Sequence, residues 1–166
     1  MKKTLHPFPP LYSEKSKILI LGSFPSVKSR EQMFFYGHPQ NRFWKVISAV
    51  FKCSVPVTVE EKRKFLLDRG IALWDVIASC EITGSSDSSI KNVTPNDISE
   101  ILNAADIKEI YVNGKTAEKY YNRYIKKAAG KNAVCLPSTS PANAAWSLQR
   151  LIGAWEIVAR RIEDCY

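Results

Sequence analysis

Two histidines, two methionines and seven glycines in 166 residues leave this chain short of the residues that build metal centres and phosphate cradles. His6 and His38 stand too far apart to form a local ligand pair. The four cysteines, Cys53, Cys80, Cys135 and Cys165, fall at none of the spacings used by zinc sites, iron–sulfur clusters or redox pairs. They are expected to be buried free thiols in a reducing compartment, and no metal site is expected. "GSFPS" (22–26) has one glycine where a dinucleotide loop has three, and no Gly-Lys-Ser/Thr follows it. No serine sits in a Gly-x-Ser-x-Gly elbow. Long apolar runs are missing too: "ILIL" (18–21) is far too short to span a bilayer, and "MKKTLHPFPP" lacks the apolar stretch of a secretion signal. The expectation is a cytoplasmic protein with no membrane partner.

Acidic residues are also scarce. Sixteen Asp and Glu face 24 Lys and Arg, for a net charge of +8 and a pI near 9.4. From Lys15 to Lys52 there are seven basic residues and one acid, Glu31; from Tyr111 to Arg150 there are again seven, with Glu118 the one acid. Such a distribution suits a polyanionic partner if the fold brings the two segments together, and suits a merely solvated basic surface if it does not.

What the chain does have is alternation. Short apolar runs at 17–22, 71–82, 108–114 and 132–138 read as strands, the second with an extension. Between them lie a long loop after Gly22, an amphipathic helix over 42–52, and a helix opened by the capping box "TVEE" (58–61) and closed near Gly70. A polar loop is expected over 84–92. A helix is expected over 94–105, with Thr94 as cap and Pro95 in the first turn. Further helices are expected over 115–129 and 144–162, the last with Leu148, Leu151, Ile152, Trp155 and Val158 on one face. This rhythm predicts one α/β domain over 1–166: a three-layer α/β/α sandwich around a central four-stranded parallel sheet.

In such folds ligands bind at the carboxyl ends of the strands. Those ends carry "GSFPS", "WD" (74–75), "NG" (113–114) and "LPSTSPAN" (136–143). The edge is rich in rings, amides and hydroxyls, and its acids are few: Asp75 and Asp87. Rings stack on bases, amides pair with base edges and cations hold phosphates, so the composition points to a nucleic-acid base rather than a charged metabolite. Asn41, in "NRFW", reads either as the N-cap of the following helix or as a pocket wall.

"LGSFPS…FYGHPQNRFWKVI" with "LPSTSPANA" resembles the uracil-DNA glycosylase superfamily over about Lys17 to Ala159. "HPQNRFW" matches the His-Pro-x-Asn-Arg-Phe-Trp stretch of the mismatch-specific uracil/thymine branch at every fixed position. That branch carries a water-activating Asn third in its first motif, where this chain has Phe24, and larger uracil enzymes carry His where this chain has Leu136. The absence of both groups, with "GSFPS", "LWDV" and "LPSTSPA", is similar to the hypoxanthine-DNA (deoxyinosine) glycosylase branch. The resemblance implies a monofunctional glycosylase of base excision repair, acting without a cofactor as a monomer on double-stranded DNA with a damaged or mismatched base. It would be nucleoid-associated when bound. Asn41 then becomes the water-orienting catalytic residue, through its carbonyl. Tyr36 becomes the ring stacked on the flipped base, Phe24 a second wall, and Ser23 and Phe24 donors of backbone N–H. Asp75 becomes the reader of the base edge. Asn113 lines the pocket, Ser138 and Ser140 contact phosphate, and Ala142 and Asn143 mark the wedge, with Asn143 alternatively a helix cap. Lys115, Lys119, Arg123 and Lys126 form a helical stripe that is either a solvated face or a DNA contact. Excision of uracil or thymine from mismatches with guanine, and non-catalytic binding of damaged bases, are the alternatives.

Overall fold

A computed structural model of the chain describes residues 2–166. In chain order its elements are β1 (Lys3–Leu5), β2 (Ile18–Gly22), α1 (Val27–Gln32), α2 (Phe43–Val50), α3 (Val59–Asp68), β3 (Ile71–Asp75), β4 (Ile77–Glu81), a 3-10 turn (Asp87–Ser89), β5 (Lys91–Pro95), α4 (Ser99–Ala104), β6 (Glu109–Asn113), α5 (Lys115–Tyr120), a π-helical turn (Tyr121–Ile125), α6 (Lys126–Ala129), β7 (Ala133–Leu136) and α7 (Leu148–Asp164). The four expected strands form one parallel sheet in the order β3-β2-β6-β7. Every residue of β2 and β3 is buried, as strands covered on both faces must be. Helices flank the sheet in the expected three-layer α/β/α arrangement, and α2 and α7 pack on each other through Phe43 and Trp155. No helix among the described residues is long and apolar enough to cross a membrane.

Several local expectations are corrected. The run 71–82 is two strands. At Val76 the chain leaves the parallel sheet, Val76 N donating to Gly22 O and Ile77 N to Ser23 O, and β4 joins a second, antiparallel sheet in the order β1-β4-β5. The segment 84–92, expected as loop, contains the 3-10 turn and enters β5. Thr94 and Pro95 end β5 rather than start a helix. Pro95 is tolerated there because β5 is an edge strand, where a missing N–H breaks no ladder. α4 instead begins at Ser99, whose N–H is taken by Asp97 Oδ1 at 2.9 Å. The loop after Gly22 contains α1, capped by Ser26 Oγ. α7 starts at Leu148 with Ser147 as cap, because the carbonyls of Ala145 and Trp146 are drawn away by Arg150 and Arg42. The cysteines are free as expected, but only Cys80 is buried and Cys53 is exposed.

Candidate active site

The carboxyl ends of all four parallel strands open into one cavity of about 230 Å³. Of the residues singled out from the sequence, Ser23, Phe24, Tyr36, Asn41, Asp75, Asn113, Ser138, Ser140 and Ala142 line it. Asn143 is not among the lining residues. Its Nδ2 turns back to donate to Ser138 O at 3.0 Å, bracing the loop after β7, while the helix-capping role falls to Ser147. Pro141 and Ala142 are the exposed tip of that loop.

Asp75 ends β3 almost wholly buried, and its Oδ2 lies 2.7 Å from Nε2 of His6, whose side chain is 2% exposed. His6 follows β1 and sits in a cage of Phe8, Phe24, Phe35 and Trp74, with Nδ1 unpartnered. With Asp75 ionised, Nε2–H donates to it. Asn96 Nδ2 holds the Asp75 backbone carbonyl at 2.8 Å. Oδ1 is left facing the cavity beside Gly22. A Cβ at Gly22 would stand 2.5 Å from that oxygen and 3.1 Å from the Tyr36 hydroxyl, so the close approach of both groups requires glycine.

Tyr36 has φ +52° and stacks on Phe43 at 4.1 Å between centroids, which fixes the ring against the core. Burial, then the charge of Asp75, push its hydroxyl well above the usual tyrosine range, with the hydrogen bond from Asn113 acting the other way. The phenol is therefore a neutral wall.

Asn113, Thr139 and Asn41 form one chain of hydrogen bonds. Asn113 Nδ2 donates to Tyr36 Oη (3.2 Å) and to Thr139 Oγ1 (3.0 Å); Thr139 N donates back to Asn113 Oδ1 (3.1 Å). Thr139 Oγ1 then donates to Asn41 Oδ1 at 2.9 Å, and Phe43 N donates to the same oxygen at 2.9 Å. Both lone pairs of Oδ1 are thus engaged, and the group Asn41 offers the cavity is its Nδ2 amide. Arg42, next in sequence, clamps the loop carrying Thr139. Its guanidinium donates to the carbonyls of Thr139, Ser140, Asn143 and Trp146, and its backbone N to Thr139 O. Gly114, at φ +98°, lets that loop approach, since a Cβ there would meet Ser138 Cβ at 2.9 Å.

Three contributors escaped the sequence reading, and a fourth was seen without a role. Thr139 lies in the middle of "PSTSPA" but carries no motif of its own. His6 arrives from another sheet, and nothing local marks it. His38 lines the cavity, its Nδ1 accepting from Gln40 N at 3.1 Å. Asp87 was visible as an acid near this edge; the 3-10 turn brings its carboxyl to the cavity wall, where Ser23 Oγ donates to Oδ1 and Oδ2 at 3.1 and 3.2 Å. Although the residue as a whole is exposed, loss of solvation around the carboxyl raises its pKa. The charge of Asp75 raises it further, and hydrogen bonds from Ser23 and Thr116 pull the other way.

A cavity walled by a fixed ring, a buried carboxylate and two amides can hold a flat heterocycle edge-on. Comparison with known proteins agrees with that chemistry. Residues 9–159 match the family model described as the uracil DNA glycosylase superfamily. The chain is 35% identical over 155 residues to the hypoxanthine DNA glycosylase of Methanosarcina acetivorans, covering 92% of this chain and 96% of that one. It is 34% identical over 138 residues to the protein of the same name from Methanosarcina barkeri, covering 82% and 86%. The solution NMR structure of a candidate uracil DNA glycosylase from M. acetivorans superposes with a TM-score of 0.80 at 34% identity, covering 94% of this chain and 96% of that one.

Proposed function

The chain belongs to the uracil DNA glycosylase superfamily and is a DNA glycosylase, and from that premise we propose that it excises hypoxanthine, the deaminated form of adenine, from double-stranded DNA. The observation that carries this reading is Asp75, whose Oδ2 is held by His6 at 2.7 Å while Oδ1 faces the cavity. A carboxylate accepts from N1–H, which hypoxanthine has. Adenine presents a lone pair at N1 and is repelled. The names of the two Methanosarcina relatives support the same substrate.

The base is flipped into the cavity and stacks on Tyr36, whose ring is held by Phe43. Phe24 forms the second wall, Ser23 and Phe24 offer backbone N–H groups to a base carbonyl, and Asn113 closes the polar side. Ser138 and Ser140 contact phosphate, and the exposed Pro141–Ala142 tip enters the vacated stack. Asn41 holds the attacking water by donating Nδ2–H to its oxygen, since Oδ1 is occupied. A single amide suffices because bond breaking leads in a dissociative, oxocarbenium-like transition state. Among the described residues no lysine lines the cavity, which favours hydrolysis over a Schiff-base lyase step. The enzyme acts as a monomer.

Uracil is the second substrate reading, because Asp75 accepts equally from its N3–H. Single-turnover excision from duplexes bearing hypoxanthine, uracil, xanthine or a guanine-paired thymine separates the cases. Hypoxanthine is expected to be released fastest. Faster release of uracil or thymine reassigns the substrate, and tight binding without release of any base makes the chain a recognition module. Asn41→Ala is expected to slow excision by at least 100-fold while sparing binding; full excision with lowered stability would leave Asn41 only its role in the turn before α2.

A further inference from the structure

Breaking the bond to a purine places an electron pair on the base inside a poorly solvated cavity, and a proton must meet it there for departure to be fast. The hydroxyls and amides of the wall can hydrogen-bond but not surrender a proton. His38 is tied to its own turn, its Nδ1 accepting from Gln40 N–H at 3.1 Å. Asp75 is bound to His6 through Oδ2, with both side chains nearly closed to solvent. Asp87 is left.

We propose that Asp87 is the general acid that protonates the departing purine, a reading that rests on excision of hypoxanthine as the reaction. Its carboxyl lines the same cavity as Asp75 and is oriented by Ser23 from the first strand-end loop. The turn that carries it is tied down on several sides: Val27 N donates to Ser85 Oγ at 3.0 Å, Arg30 to Gly84 O at 3.1 Å, and Thr83 N to Ser89 Oγ at 2.8 Å. The groups facing Asp87 come from every neighbouring element: Ser23 from the loop after β2, Asp75 from β3, Cys80 from β4, and Thr116 and Tyr120 from α5. Among the described residues no cation pairs with its carboxyl. Arg30 on α1 holds the backbone of Gly84 instead and lies over Phe24. Two carboxylates share one cavity, then, and only one has a cationic or imidazole partner. Such a pair separates into an ionised member and a proton-carrying member. The environment that raises the pKa of Asp87 acts in the required direction.

The step balances. The neutral carboxyl of Asp87 gives its proton to a basic ring nitrogen, N7 or N3, as the C1′–N9 pair withdraws onto the purine, which leaves uncharged. Water adds its oxygen to C1′, and its surplus proton restores the Asp87 carboxyl directly or through solvent. One water is consumed and the enzyme is unchanged.

Single-turnover excision of hypoxanthine between pH 5 and 9, by wild type, Asp87→Asn and Asp87→Glu, tests this. Wild type is expected to slow as pH rises through the Asp87 titration. Asp87→Asn should be slower by on the order of 100-fold and lose that pH dependence, with Asp87→Glu recovering part of the rate. Asp87→Asn should bind an uncleavable 2′-fluoro duplex as tightly as wild type. It should also release N7-methylhypoxanthine, already cationic, at the wild-type rate. Asp87 is exposed, so the variant is expected to fold. Its melting temperature at pH 7 should exceed that of wild type, and the gap should close toward pH 4: a raised folded pKa contributes stability at low pH that is lost as pH rises through it. A purely structural Asp87 predicts the reverse. Asp87→Asn within threefold of wild type, or slower by one constant factor at every pH, overturns the proposal alone. A wild type that releases no hypoxanthine overturns both it and the substrate reading.

Discussion

At the scale of single residues, the candidate site rests on side chains that fix other side chains. Asn41 is not the N-cap of α2, a position taken by Arg42, but closes the turn before it and faces the cavity at once: its oxygen accepts from Phe43 N, and the same geometry aims Nδ2 outward. Thr139, wholly buried, makes that orientation unique. Thr139→Val keeps the shape and removes the hydroxyl, leaving Asn41 Oδ1 held by Phe43 N alone and Asn113 with one fewer acceptor. It is expected to cost about 1–2 kcal/mol of stability and to slow single-turnover excision roughly 10-fold or more, equivalent to about 1.4 kcal/mol of barrier, with little change in binding. An unaltered rate would mean that Asn41 needs no support. His6 does the same for Asp75. Removing one partner of a buried pair costs about 3–5 kcal/mol, so His6→Phe should lower the melting temperature by roughly 10 °C, taking 2–4 °C per kcal/mol for a chain of this size. Adding Asp75→Leu to His6→Phe should restore much of that stability, because the unpaired carboxylate is gone, yet leave the enzyme inactive on hypoxanthine. A double variant no more stable than His6→Phe would show that His6 serves packing alone.

At the scale of elements, what was legible in the sequence followed periodicity. β2, β3, β6 and β7 are apolar runs with glycine or polar residues at their ends, and the capping box at Thr58 places the start of α3 to the residue. Two of the misreadings trace to partners distant in sequence that overrode local signals. Thr94 and Pro95 carry a helix-start pattern, but pairing with β4 turns them into an edge strand. Ala144 to Trp146 have helical composition, but Arg42 and Arg150 pull their carbonyls out of register. The same distance hid His6 and Thr139 from motif reading, whereas Asn41, Asp75 and Ser138 lie at strand ends or in motifs and could be found. The Arg42 clamp itself has a testable consequence. Four carbonyls of the loop after β7 converge on one planar guanidinium, a geometry that lysine cannot reproduce. Arg42→Lys keeps the charge but should free the loop. Hydrogen exchange at the amides of Ser140, Ala142 and Asn143 should accelerate strongly while β2 and β6 stay protected. Hypoxanthine excision should fall with Thr139 displaced. Unchanged exchange in the loop would show that its own turns, Ser140 N on Ser138 Oγ and Ala142 N on Ser140 Oγ, hold it without Arg42.

At the scale of the whole molecule, the net charge of +8 is unevenly distributed along the chain. The two basic segments, 15–52 and 111–150, supply most of the cavity-lining loops: Gly22 to Asn41 from the first, Asn113 and Ser138 to Ala142 from the second. The acids concentrate in the stretch between them, yet that stretch contributes Asp75 and Asp87 to the cavity itself. Among the described residues no lysine or arginine lines the cavity, so its own charged groups are acidic and the cations lie outside it. Acids at the cavity oppose any anion and admit an uncharged base, and cations outside it are what can attract the phosphate backbone, so backbone attraction and base selection are separated. The separation makes a quantitative prediction. Each phosphate neutralised releases counterions, so the logarithm of the affinity for undamaged duplex should fall linearly with the logarithm of salt, with slope about −0.9 per contact, or roughly −3.6 for four contacts. Lys115, Lys119, Arg123 and Lys126 are all exposed along α5 and its continuation. If that stripe touches DNA, Lys115→Gln with Lys119→Gln should reduce the slope by about 1.8 and weaken damaged and undamaged duplexes alike. Asp75→Asn should leave the slope untouched and alter only the preference for hypoxanthine over adenine. A slope unchanged by the lysine pair would assign the stripe to a solvated face and leave the phosphate contacts to the loops around the cavity.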